Sequence, residues 1–107
     1  METAIVNLET IYSKLEKIFR TKKAVKVVCF DHKVKVIHYQ TTIFEVNQDG
    51  EITLDNGGYM TRTTKDHLNE CLEALGKVER IYQKKGKWYV SGLDTTEFTR
   101  GFKMTTY

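Results

Sequence analysis

Four side chains in this sequence have the types and spacings of a metal site. Cys29-x-x-His32 and His67-x-x-x-Cys71 supply two cysteines and two histidines, a set that zinc takes in tetrahedral sites. The second pair stands at i and i+4, neighbours on one helix face. Against a metal, no Cys-x-x-Cys occurs, and Cys71 falls on an apolar helix face where a core thiol is expected. The reading is therefore buried, reduced cysteines and surface histidines, with no metal and no cofactor. A cysteine with His32, His38 or His67 also spells a nucleophilic dyad, but a reactive group needs a pocket and a tuned pKa, which letters do not supply. Asp31, Asp49, Asp55 and Asp66 adjoin turns or caps that already account for them, and no Gly-Lys-Ser/Thr phosphate loop is present. No catalytic residue is assigned, and the chain is read as not an enzyme.

Binding chemistry is better served. In Tyr82-Gln83-Lys84-Lys85-Gly86-Lys87-Trp88-Tyr89, three lysines stand between aromatics. Lysines contact phosphates, and an exposed ring stacks on a base. The competing reading has the lysines keeping an edge hairpin soluble while the rings pack inward. Alternation sends Trp88 and Tyr89 to opposite faces, so at most one of them is exposed. A second group, Arg62 and Lys65, flanks the start of a helix whose free amides suit a phosphate or carboxylate. Arg62, Lys65, Lys84, Lys85, Lys87 and Trp88 are thus the candidate nucleic-acid or anion contacts. The net charge of +3 is mildly basic, below that of a dedicated nucleic-acid binder. Lysines and Arg20 also cluster between Lys14 and Lys26, where a solvated helix face is the ordinary explanation.

The elements that must position these groups follow from apolar periodicity. Leu8, Ile11, Tyr12, Leu15, Ile18 and Phe19 recur at helical spacing, predicting an amphipathic helix over about 4–20 with Thr3 as its cap. That helix packs on a sheet or docks on a partner. Alternation predicts strands over about 24–30, 33–40, 42–47 and 51–55. Asp31-His32 suits a turn, and Asp49-Gly50 marks a tight hairpin. Ile37 and Tyr39 fall on the lysine side of their strand, so that face is expected to be partly covered. Asn56-Gly57-Gly58 breaks the pattern before a helix over about 64–75, capped by Thr63 with Asp66 and stopped by Gly76. Strands over about 78–84 and 87–91 flank Lys84-Lys85-Gly86, and the segment 92–107 adds an edge strand or drapes over the core. The fold class is α+β, a single domain over 1–107: an N-terminal helix, an antiparallel meander of hairpins, one central helix and a C-terminal hairpin.

No apolar run approaches a membrane span, and the acidic, polar Met1-Glu2-Thr3 is no secretory signal, so the cytoplasm is the expected compartment. The stretch Thr42 to Val90 resembles a family of small proteins of tailed bacteriophages without an assigned activity. The likeness lies in Thr42-Ile43, in Ile52-Thr53-Leu54, in the run from Asn56-Gly57-Gly58-Tyr59 to Thr63-Thr64-Lys65, in Asn69, and in the hairpin Val78 to Val90. Tyr59 stands where the family pattern has tryptophan, and His67-Leu68 where it has an arginine-methionine pair. The resemblance implies phage origin, hence the host cytoplasm, and a shared fold with no inherited reaction. Small phage proteins often bind and block a host protein. A host or phage protein is therefore the expected partner, with DNA or RNA as the alternative, no membrane, and a homodimer left open.

Overall fold

The computed structural model describes residues 7–58, 60–92 and 94–106. Helix α1 (Leu8–Phe19) buries Ile11, Leu15 and Phe19. Its cap is Asn7, whose side-chain oxygen accepts from the Thr10 amide at 3.1 Å. Thr3, the expected cap, lies outside the described residues.

Four strands then run as a meander: β1 (Val25–Phe30), β2 (Lys33–His38), β3 (Thr41–Asn47) and β4 (Glu51–Leu54). Alternation sends Val34, Val36, Val46, Ile52 and Leu54 to the buried face. One bulge interrupts it. Val36 pairs with Phe44 and Ile37 with Thr42, leaving Ile43 as the extra residue. Ile43 and Phe44 are consequently both buried. The hairpin at Asp49-Gly50 forms as expected: Gly50 takes φ 85, and the Asn47 side chain accepts from the amides of Asp49 and Glu51.

β2 ends at His38, two residues short of the expected strand, because Tyr39 takes φ 57 in the turn to β3. Tyr39 is 76% exposed instead of lying on a covered face.

The segment Asn56-Gly57-Gly58 turns the chain toward helix α2 (Arg62–Ala74). Gly57 takes φ 63, and a Cβ there would meet the Thr41 side chain at 2.7 Å, so this backbone lies against β3. The cap of α2 is Thr61, which accepts from the Thr64 amide, and not Thr63. Thr61 is still extended while Arg62 already opens the helix, so Asp66 pairs with Arg62 and answers no cap. At the other end Gly76 takes φ 73, and the amides of Gly76 and Lys77 return to the carbonyls of Glu73 and Leu72.

A second sheet follows from β5 (Arg80–Lys84), β6 (Lys87–Ser91) and β7 (Thr96–Glu97). β5 begins two residues later than expected, with Val78 76% exposed before it. The last strand, β8 (Phe102–Thr105), returns to pair with β4, completing a sheet of order β1-β2-β3-β4-β8. The C-terminal segment thus contributes one edge strand to each sheet. The fold is α+β, as its sequence implies. Among the described residues no helix is long and apolar enough to cross a membrane.

Both helices pack on the buried face of the five-stranded sheet, and the buried apolar side chains form one cluster. Two devices tie the small sheet to the rest. Trp88, Phe98 and Phe102 stand in a row with centroids 5.6 and 6.0 Å apart, running from β6 to β8. On α2, the Asn69 amide donates to the Ile81 carbonyl at 2.9 Å and its oxygen accepts from the Ile81 N–H at 2.7 Å, as a neighbouring strand would.

Replacing Asn69 by Leu leaves both Ile81 groups without partners. Each costs about 1–3 kcal/mol, so urea denaturation is expected to show a loss of roughly 2–6 kcal/mol. Asn69→Asp keeps the acceptor and should fall between. A Leu variant as stable as the parent would show that this pairing does not hold β5 in place.

Candidate functional site

The hairpin β5–β6 is built around Lys85 (φ 53) and Gly86 (φ 78), a two-residue turn with both φ positive. It pairs Lys84 with Lys87, Gln83 with Trp88 and Tyr82 with Tyr89. Residues two apart share a face, so Lys84, Lys87, Tyr82 and Tyr89 lie together on one side of the ribbon. The two tyrosine rings stack at 5.5 Å with an interplanar angle of 25°. Lys84, Lys85, Lys87 and Tyr82 are exposed, and among the described residues none of the three lysines makes an ion pair.

Trp88 is not part of this surface. It points to the opposite side, packs on Phe98 and is only 2% exposed, which removes it from the candidate contacts. Its indole N–H is buried with no acceptor among the described residues. The aromatics that share a face with Lys84 and Lys87 are Tyr82 and Tyr89. Counting back from the turn, Lys85-Gly86, would have paired them from sequence.

Arg62 and Lys65 stand at the start of α2, apart from this hairpin in the chain. Arg62 is almost fully exposed and lies 3.9 Å from Asp66; Lys65 is half-buried. Beside them a cleft of about 1030 Å³ opens between the helix N-terminus and the ends of β1, β2 and β3. Neither Arg62 nor Lys65 lines it. Its walls carry Lys23, Lys26, His38, Thr41, Thr61 and Thr63. Sequence reasoning missed this set because its members come from three separate segments.

The metal-like pairs are divided between elements. Cys29 lies one residue from the end of the edge strand β1 and is exposed, against expectation, and His32 lies in the turn after it. His67 and Cys71 are both buried on α2. His67 was expected on the surface. It lies one position before Leu68 and one turn before Cys71, beside the apolar stripe, and its ring meets those of Phe19 and His38 edge-on at 5.3 and 5.0 Å. Its Nδ1 lies 3.3 Å from the Glu70 carboxylate, which in turn faces Lys22. Among the described residues no three His, Cys, Asp or Glu side chains gather as a metal site would require. Burial pushes the Cys71 thiol well up, with the Glu70 charge adding to it, so the group is a poor nucleophile at neutral pH.

A third surface is the outer face of the five-stranded sheet. The alternate positions Lys26, Val28, Phe30, Lys33, Lys35, Ile37, Glu45, Thr53 and Lys103 occupy it, and not one is buried. The cover expected over Ile37 is absent among the described residues, since both helices lie on the other face. Phe30 is 57% exposed, with the Lys35 ammonium 5.2 Å from its ring centre.

His38 carries a pH signature. Burial first, then the neighbouring His67, holds its imidazole below the ordinary 6.5. The unfolded chain therefore takes up the proton first as pH falls. The neutral-imidazole contribution is whole above about pH 6.5 and is lost between that pH and the lowered folded value. Asp55, held low by Arg100 and then by the Gly57 amide, loses its contribution only at much more acid pH. Urea midpoints should be flat above neutrality and fall on mild acidification, and His38→Gln should flatten that fall. An unchanged profile in the variant would assign the proton uptake elsewhere.

A family model described as Kyanoviridae Gp96 protein matches residues 3–105 of the chain. No curated protein and no solved structure matches it.

Proposed function

The chain belongs to the Kyanoviridae Gp96 protein family, a tailed-phage family of unknown function, and from that premise we propose that it works by binding, without catalysis, and that its ligand is a single-stranded nucleic acid. The observation that carries this reading is the stacked Tyr82–Tyr89 pair sharing one face with Lys84 and Lys87, beside exposed Lys85. Unpaired lysines attract phosphates through counterion release, and an exposed tyrosine face takes a base without regard to sequence. Absence of catalysis is supported by the state of the two cysteines: Cys71 is buried with its thiol shifted away from ionisation, Cys29 is exposed on the edge strand, and neither lines a cleft.

A protein partner is the second reading, favoured by one observation of its own. The outer sheet face presents Phe30, Val28 and Ile37 among lysines with none of them buried. Apolar groups ringed by charge are the usual make-up of a protein contact.

Fluorescence anisotropy with mixed-sequence single-stranded DNA and RNA tests the first reading. Affinity should fall steeply with salt. The double variant Lys84→Glu, Lys85→Glu should weaken binding and flatten the salt slope by about 1.4, two contacts at about 0.7 each. Tyr82→Ala should cost about 1–3 kcal/mol of binding, whereas Trp88→Phe should leave it unchanged. Failure to bind either strand at low salt, or binding indifferent to all these changes, would sink the nucleic-acid reading. One host protein captured from nuclease-treated lysate, and lost on Phe30→Glu, would put the second in its place.

A further inference from the structure

The two sheets have four edges, and three of them are short or covered. β7 is two residues long, β8 is four, and β5 has its Ile81 N–H and carbonyl taken by the Asn69 side chain. β1 differs. It is a six-residue edge strand, Val-Lys-Val-Val-Cys-Phe, and among the described residues nothing pairs with its outer side. It carries one charge, no proline and no register shift against β2, so it lacks the features that keep edge strands from pairing with other chains.

The parity of its hydrogen bonds shows which groups face out. Asp31 and His32 both have positive φ (54 and 60), the two-residue turn that closes on a hydrogen-bonded pair, here Phe30 and Lys33. At the other end the Tyr39 amide donates to the Ala24 carbonyl, in the same phase. Even-numbered residues of β1 therefore bond inward to β2, and the backbone groups of Val25, Val27 and Cys29 point to the open side. Val25 is removed from use, since its side chain is buried and its N–H donates to the Lys22 carbonyl. Val27 and Cys29 remain.

We propose that two copies of the chain join β1 to β1, antiparallel, about a two-fold axis at Val28, merging the two five-stranded sheets into one of ten strands. Only a strand can satisfy a row of edge amides, and a two-fold copy supplies one while closing the assembly at two. The two-fold axis normal to the sheet keeps both helix-bearing faces on the same side. Opposed residues must then share a face, which restricts the register to whole two-residue steps. Of these registers, the one centred on Val28 sets Val27 against the copy's Cys29 in both directions and so uses both remaining pairs of edge groups. On the outer face it sets Lys26 opposite the copy's Phe30. An ammonium meets an aromatic ring there, as Lys35 already does within the chain, and no lysine opposes a lysine. On the other face α1 packs over β1, with Leu8, Tyr12 and Ile18 only half-buried, so the two α1 helices lie near each other across the axis. This inference does not rest on the nucleic-acid reading.

Sedimentation equilibrium of the full chain should give twice the 12.5 kDa chain mass at high micromolar concentration. The register is tested by cross-linking. In a Cys29→Ser background, Val28→Cys brings two thiols together at the axis, where opposed non-hydrogen-bonded residues have Cα atoms about 4.5 Å apart, within disulfide reach. Mild oxidation should yield a covalent dimer, while Lys26→Cys in the same background, facing Phe30 and not itself, should cross-link little. Phe30→Lys, which sets lysine against lysine, should return the parent to a monomer without loss of its circular dichroism. A parent that sediments as a monomer throughout would overturn the proposal. So would a Val28→Cys chain that is folded by circular dichroism yet cross-links no faster than Lys26→Cys.

Discussion

Helix α2 is buried on two sides at once, and the remainder of the fold depends on that. Leu68, Cys71 and Leu72 fill the space over the five-stranded sheet. One position along from Leu68, Asn69 completes the hydrogen bonding of the small sheet's edge. A helix with apolar residues at i, i+3 and i+4 would serve the first contact alone. The second needs an amide side chain at one fixed position, because only an amide donates and accepts in the spacing of a backbone. Remove α2 from this place and the small sheet keeps only its aromatic row to β8, while the large sheet loses half its cover. Both surfaces proposed for binding, the lysine hairpin and the outer sheet face, are thus the reverse sides of layers that α2 holds together.

The burial of His67 belongs to the same constraint. A helix pressed between two layers has little solvent face left, so a residue adjoining its apolar stripe is drawn in. His67 is accommodated because its ring packs edge-on against Phe19 and His38 while one nitrogen reaches Glu70 at the rim. His38 is then half-covered next to a second imidazole, which makes its protonation costly. The open cleft beside α2 is a consequence of the turn at Asn56-Gly57-Gly58, where the chain leans on Thr41 before entering the helix.

Much of this was legible beforehand because it is local. Both helices, the meander and the turns at Asp31-His32, Asp49-Gly50 and Lys85-Gly86 follow from periodicity and turn chemistry, and the structure contains them all. The α2 cap was misplaced by two residues, since any of the threonines near Arg62 has the right hydroxyl and only the backbone decides which is extended, whereas α1 begins a full turn later than its apolar pattern suggested, capped by Asn7. Pairings between distant segments were not legible. Nothing local says that β8 returns to β4, that Asn69 meets Ile81, or that Lys23, His38 and Thr61 share a cleft. Trp88 was misjudged for a different reason: alternation allowed either Trp88 or Tyr89 to be exposed, and the larger ring was needed beside Phe98 to fill the joint between sheets.

The distribution of lysines bears on how the surface is used. Three of them surround the β5–β6 turn, at the far end of a strand whose edge Asn69 closes at Ile81. At β1, where an edge is open and charge would be protective, the outer face of the strand has Lys26 alone, and the strand ends in exposed Cys29 and Phe30. A chain selected only to remain apart from its neighbours would place charge the other way round. Charge is concentrated where a polyanion can use it, and apolar strand is left bare where another strand can. These two features of lysine placement are what the two proposed contacts, of different chemistry, would use on one small scaffold.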